Sequence, residues 1–214
     1  MAINNVSSFL SQIGQGVKPN MFNVDINFPS GLSDILVAQD SVGPSTTTEL
    51  TALMCKSAAL PGSNLGVIEV PFRGRTVKIA GDRTFDTWTA TFFADRNMEI
   101  RAIFEDWANS INSHEGNTAP RFLPSTGSTG YMADLYVSQL EKDDSAGGSV
   151  IRTYKLHHCF PTNVSAIDLA YDSNDQIAEF TVEWQYSFFT AGVGDADKAT
   201  GSKVSTDASK RDIK

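Results

Sequence analysis

Basic runs, paired cysteines and long apolar stretches are all missing from this chain. Its 214 residues include 17 lysines and arginines against 25 aspartates and glutamates, a formal net charge of −8. No cluster of cations interrupts that balance, which argues against a protein that grips nucleic-acid phosphates. There are two cysteines, Cys55 and Cys159. Two cannot build a disulfide scaffold, so both are expected as reduced thiols in a cytosolic product. No stretch reaches the ~20 apolar residues that a membrane-spanning helix needs, so no membrane insertion is expected. The first residues lack the basic and apolar regions of a signal peptide.

What is present leans towards β structure. Hydrophobic residues make up 41% of the chain, with 16 glycines and 13 phenylalanines. A chain of this size buries roughly 70% of its unfolded surface and needs no staples. The clearest local signal spans residues 81–112. Trp88, Ala90 and Phe92 alternate with Thr87, Thr89 and Thr91, as a strand with one buried face does. The period then changes. Ile100, Ile103, Phe104, Trp107 and Ile111 recur at helical spacing, predicting an amphipathic helix over about 95–112. Asp95 sits where a cap belongs, and Glu99 suits the first turn.

The rest of the chain is read with the same rules. Residues 1–17 carry Ile3, Val6, Phe9, Leu10 and Ile13 at loose helical spacing, predicting a short helix or an arm. Met21 to Phe28 alternates as a strand, and residues 31–49 read as a long, insertion-like loop. A short strand is expected over 50–57, then a break at Leu60-Pro61-Gly62. Val67–Phe72 and Thr76–Ile79 form a hairpin around Arg73-Gly74-Arg75. Residues 113–130 read as a second loop, and Tyr131–Leu140 with Val150–His158 as a second hairpin. A further strand is expected over Val164–Leu169, before a turn at Asp172–Asp175. The last strand sets Phe180, Val182, Trp184, Tyr186 and Phe188 against Thr181, Glu183, Gln185 and Ser187. From residue 191 to Lys214 the composition turns polar, as in a weakly ordered tail. About eight strands and one helix predict a mainly β fold, an antiparallel sandwich or partly closed barrel with long loops.

The phrase Gly81-Asp82-Arg83-Thr84-Phe85-Asp86-x-Trp88, with a helix ending in Phe104-x-x-Trp107, resembles the tail tube proteins of contractile-tailed bacteriophages. So do Lys18-Pro19-Asn20-Met21-Phe22-Asn23-Val24, Cys55–Pro61, and Phe160–Val164 through Asp172–Ile177 to Phe189. The resemblance implies a β domain over 18–190, flanked by the arm at 1–17 and the tail at 191–214. It implies six-membered rings stacked into a hollow tube inside a contractile sheath. Baseplate and tail-terminator proteins would hold the ends, and genomic DNA would pass through without specific binding. Such a subunit sits in the virion tail, assembles in the host cytoplasm, and needs no cofactor and no catalysis. Leu53, Leu60, Pro61, Arg73, Arg75 and Arg83 are the candidate subunit contacts. Thr181, Glu183, Gln185 and Ser187 are the candidates for the channel or another wet face. A baseplate tube-initiator paralogue, or the tube of a phage-derived secretion or bacteriocin particle, would share these features. A monomeric binding module or minor enzyme is the reading from a different class.

Enzyme and metal readings find little support in the residues. In a regular strand His157 and Cys159 share a face with His158 opposite, and His114 is the sole remaining histidine, too few ligands for zinc. Asp172-x-Asn174 with Glu183 mimics the start of a calcium loop, but Ile177 stands where glycine is required. Phe104 and Trp107 read as core.

Overall fold

The computed structural model describes residues 6–13, 16–29, 44–118, 123–126, 130–142, 149–172 and 174–193. In chain order these give α1 (Val6–Ile13), β1 (Phe22–Ile26), α2 (Pro44–Met54), β2 (Cys55–Ala58), β3 (Asn64–Phe72) and β4 (Arg75–Thr84). Next come β5 (Trp88–Phe93), α3 (Glu99–Ile111), β6 (Leu123–Thr126), β7 (Gly130–Leu140), β8 (Val150–Val164), β9 (Glu179–Gln185) and β10 (Phe188–Val193).

The alternation at Trp88, Ala90 and Phe92 builds the centre of the sheet. All three side chains are buried. β5 pairs antiparallel with β9, setting Trp88 opposite Trp184 and Phe92 opposite Phe180. β2 lies on the other side of β5. β8 is the strand that joins the two halves. Its segment from Phe160 to Val164 pairs with β9. Its earlier residues pair with β7 and with β10. β1 lies beyond β7, so the path runs β1-β7-β8-β9-β5-β2. That path has two ends and does not close; the expected mainly β, antiparallel fold stands, as an open sheet folded over its own core in which β6 pairs parallel to β7.

Helix α3 fills the space inside. Ile100, Ile103, Phe104 and Trp107 are buried, and Ile111 packs at their margin. The Phe104 ring lies 5.3 Å from Phe92 and 5.6 Å from Trp184. Asp95 caps the helix from outside it. Its carboxylate accepts the backbone N–H groups of Glu99 at 3.1 Å and Ile100 at 3.2 Å, satisfying donors that a helix start leaves open.

Several expectations need correction. Residues 50–54 are helical, not a strand, because α2 runs to Met54 before β2 begins. Leu50 and Met54 turn towards the core, and α2 packs on β1 and α3. Of the loop expected at 31–49, residues 44–49 belong to α2 and residues 31–43 lie outside the described part. The described residues hold three helices: α3 where the amphipathic helix was expected, α1 within the stretch read as a short helix or an arm, and α2, which was not expected. β6 lies within the loop expected at 113–130. The turn between β7 and β8 falls outside the described residues at 143–148. β8 stops at Val164, and residues 165–170 are irregular. The last strand is broken. β9 ends at Gln185 and β10 begins at Phe188, so the chain leaves β9 and crosses to pair with β8. β10 continues to Val193, and 194–214 are outside the described residues.

Candidate functional site

The most unusual surface is the β3–β4 hairpin. Among the described residues β3 and β4 pair only with each other. Every residue of β3 is exposed, as is every residue of β4 except Gly81. Arg73 and Gly74 turn the chain with φ of 44° and 80°. This is the two-residue turn that matches strand twist, and it favours glycine at its second position. Near the root, Gly66 and Gly81 face each other. A Cβ on Gly81 would come within 3.2 Å of the Gly66 carbonyl. The arm is apolar in composition. Leu65, Val67, Ile68, Val70, Phe72, Val77 and Ile79 all face solvent, Phe72 with 62% of its surface open. A two-stranded ribbon is marginal in water, and an exposed apolar edge is a template for another chain.

The arm is firmly rooted. Trp88 Nε1 donates to the Ala59 carbonyl at 2.6 Å, and the Tyr186 hydroxyl donates to the Gly62 carbonyl at 3.2 Å. Asn64 Nδ2 donates to Asp86 at 2.6 Å. Of the candidate contact residues, Leu60 and Pro61 lie in this root, and Arg73, Arg75 and Arg83 lie on the arm. Leu53 stands apart on α2, with 79% of its surface exposed.

The polar face of β9 is a second surface. Thr181, Glu183 and Gln185 point away from the buried Phe180, Val182 and Trp184. Thr181 and Thr91 hydroxyls lie 3.1 Å apart across the strands, and Gln185 Nε2 donates to Thr87 at 2.9 Å. Ser187 does not belong to this row. It occupies the break before β10, where its N–H donates to the His157 carbonyl at 3.0 Å. Phe188 likewise leaves the buried row and stacks on His157, with ring centres 4.4 Å apart.

The histidine pair is displaced by a bulge. The ladder jumps from Ala133–Cys159 to Leu135–Leu156, and His158 adopts φ 59°. His157 and His158 therefore lie near one another, with ring centres 6.3 Å apart, while Cys159 turns into the core. The expected shared face of His157 and Cys159 is thus corrected. Among the described residues no three histidine, cysteine or carboxylate side chains converge on a point. Burial pushes both the Cys55 and Cys159 thiols up to about 12, far from a reactive thiolate.

His157 ties β8 to β10 through its Nε2, 3.0 Å from the Thr190 hydroxyl. Asp134 faces it at 3.9 Å and holds Lys155 at 2.9 Å. Burial lowers the His157 pKa; Asp134 opposes that shift, while Lys155 and His158 reinforce it. A depressed folded-state value means that this stabilisation is complete above the unfolded pKa. It is lost as pH falls through the folded one. The melting temperature is therefore expected to fall on acidification below about pH 6.5. His157→Gln, which keeps a partner for Thr190, is expected to flatten that fall. An unchanged pH profile in thermal melts would show that other groups control it.

Sequence reasoning identified the cations of the arm but missed the apolar residues as a surface. A signal was available: Val67-Ile68-Glu69-Val70-Pro71-Phe72 is apolar on both faces of a strand.

Comparison with known proteins fits this geometry. A family model described as phage tail tube protein matches residues 17–191. Tail tube protein gp19 of Enterobacteria phage T4 is 31% identical over 169 residues, covering 79% of this chain and 88% of that protein. A tail tube protein of Serratia phage KSP90 is 26% identical over 184 residues, covering 86% and 93%. In fold, the chain is similar to one from the PVC extracellular contractile injection system, in its extended sheath–tube complex. The TM-score is 0.55 at 16% identity, over 86% of this chain and 97% of that one. A chain of the six-fold symmetrised anti-feeding prophage baseplate gives 0.54 at 12% identity, over 81% and 93%. With an unpartnered arm, an open sheet and relatives of this kind, the chain belongs to the phage tail tube protein family and is a structural, non-enzymatic subunit of the virion's contractile tail.

Proposed function

We propose that copies of this subunit close into six-fold rings, which stack into a hollow tube through which genomic DNA leaves the virion. The observation that carries this reading is the β3–β4 arm, an apolar ribbon with no partner strand among the described residues of its own chain. The sheet ends at β1 and β2 also offer edges that a neighbouring copy can extend. Ring size follows the six-fold symmetry of the anti-feeding prophage baseplate. A sheath around the tube, with a baseplate and a terminator at its ends, has its support in the assemblies of the similar folds. Residues 18–190 are the assembling domain on this reading, flanked by the arm at 1–17 and the tail at 191–214.

Leu60, Pro61, Arg73, Arg75 and Arg83 belong to contacts between copies, with Leu53 contributing from α2. Thr181, Glu183 and Gln185 line the channel. A chain of net charge −8 gives the wall little with which to hold a polyanion, so DNA slides without specific binding. Electron microscopy of the concentrated protein, beside size-exclusion chromatography, tests the reading. Rings or hollow tubes of uniform width are expected. Monomers alone, even with baseplates or tube fragments as seeds, would overturn it.

A further inference from the structure

The β3–β4 arm is not one uniform ladder. From Phe72–Arg75 at the tip to Val67–Ala80, its pairs step in unbroken register. Below that point the register shifts, and Leu65 pairs with Arg83. Gly66 on β3 therefore faces two residues of β4, Gly81 and Asp82, which is a β-bulge. A bulge bends its strand and re-aims what lies beyond it.

The two sides of this joint are held differently. On the body side, Phe85 follows the last residue of β4, and its ring lies 5.7 Å from Tyr186 and 5.8 Å from Phe189. Trp88 and Tyr186 bond to the Ala59 and Gly62 carbonyls of the segment that leads into β3. On the outer side, every residue from Val67 to Ala80 is exposed. The joint itself is closed to side chains. A Cβ on Gly66 would stand 3.1 Å from the Asp82 carbonyl oxygen. One on Gly81 would stand 3.2 Å from the Gly66 carbonyl and 3.2 Å from Ile68 Cγ1. The carbonyls are backbone, so room is made only by moving one strand against the other. Neither glycine has a positive φ, so contact and not backbone conformation excludes a side chain. Gly62 is the contrast, since a Cβ there meets nothing within 4 Å.

We propose that the Gly66–Gly81 contact is an elbow, which fixes the direction in which the arm leaves the sheet. The close approach of two bare backbones sets the angle, and the ribbon beyond follows as a lever. Its outer pairs, from Val67–Ala80 to Phe72–Arg75, reach about 20 Å. Across strands about 4.8 Å apart, a forced separation of about 0.5 Å at the joint becomes about 2 Å at the tip. Arm direction in turn sets where the apolar side chains stand in a tube. That consequence rests on the tube reading, whereas the elbow is a property of the single chain.

Distances between spin labels in the unassembled protein test the elbow. One label sits at Thr76→Cys near the tip and one at Glu105→Cys on α3, both exposed positions. Cys159 is buried, and Cys55→Ser keeps the labels at the chosen sites. A second pair, Thr76→Cys with Gln185→Cys on β9, catches a turn that leaves the first distance unchanged. Gly81→Ala, Gly81→Val and Gly66→Ala are compared with the parent and with Gly62→Ala, each checked by thermal melting to be folded. The Gly81 and Gly66 variants are expected to shift at least one mean distance by about 2 Å, valine more than alanine, without broadening the distribution. Gly62→Ala is expected to leave both distances in place. Unchanged distances in all three elbow variants, broadening about the parent mean, or unfolding of all three would overturn the elbow. By electron microscopy, the redirected variants are expected to lose tubes or to form tubes of changed axial repeat. Tubes like the parent's from a redirected arm would overturn the link to assembly and leave the elbow standing. A parent that forms no tubes even when seeded would overturn the tube reading, with the distances still deciding the elbow.

Discussion

A chain in which residues 64–84 are replaced by a short glycine bridge is expected to fold normally and form no tubes. The ends of the excision favour this outcome. Asn64 and Thr84 are paired partners, so a few glycines span the gap. Almost nothing in the arm is buried, and the core cluster contains no residue of β3 or β4. The two bonds that tether the root to the body, from Trp88 to Ala59 and from Tyr186 to Gly62, both lie outside the excision. Among the described residues the side-chain hydrogen bond that goes is that between Asn64 and the exposed Asp86. The melting temperature should therefore move by no more than about 2 °C, since surface changes stay within about 0.5 kcal/mol. Assembly should vanish, because the exposed apolar side chains from Leu65 to Ile79 go with the arm. Tubes formed by the shortened chain would remove the arm from assembly. A large drop in melting temperature would place it in the fold instead.

The opposite pattern is expected of Trp107→Ala. Trp107 is 0% exposed, and its ring meets Phe28 at 5.8 Å. Its Nε1 donates to the Tyr131 carbonyl at 2.8 Å, tying α3 to β7. Removing the indole leaves a cavity between helix and sheet, at a cost of about 3–5 kcal/mol. It also strands the Tyr131 carbonyl, so the upper end of that range is expected. In a chain of this size that lowers the melting temperature by roughly 6–20 °C. Trp107→Phe keeps most of the packing and loses the hydrogen bond, so it should fall between the parent and the alanine variant. Thermal unfolding followed by circular dichroism reads both. A loss under about 1 kcal/mol for the alanine variant would mean that the helix does not rest on this side chain.

The contrast between these variants reflects what periodicity reveals. β5 and α3 were readable because Trp88, Ala90 and Phe92 alternate, and because Ile100 to Ile111 recur at helical spacing, each with one face in the core. α2 was not readable. Thr46-Thr47-Thr48 is a poor helix-forming run, and the helix is held by packing of Leu50 and Met54 rather than by propensity. Pro44 at its first residue was the available signal, since proline suits a helix start. The break after Gln185 was hidden for a different reason. Alternation from Phe180 to Phe188 is unbroken in the sequence, yet at Tyr186-Ser187 the chain changes partner strand, which side-chain pattern does not encode. The same holds for β8 at Phe160 and for the bulge at His157 and His158. The arm's cations could be read directly, but not its lack of a partner, which is a property of the folded surface.

Pairing distance along the chain sets an order in time. The arm is entirely local, with Phe72 meeting Arg75 across a two-residue turn, so it can zip within about 1–10 μs of leaving the ribosome. β5 must wait for β9, and β1 for β7, both far downstream, and such non-local pairings form slowly. Ser165, at the end of β8, likewise waits for Thr181 of β9, whose carbonyl accepts its N–H at 2.8 Å. During synthesis each nascent chain thus carries an exposed apolar arm long before its own sheet is complete.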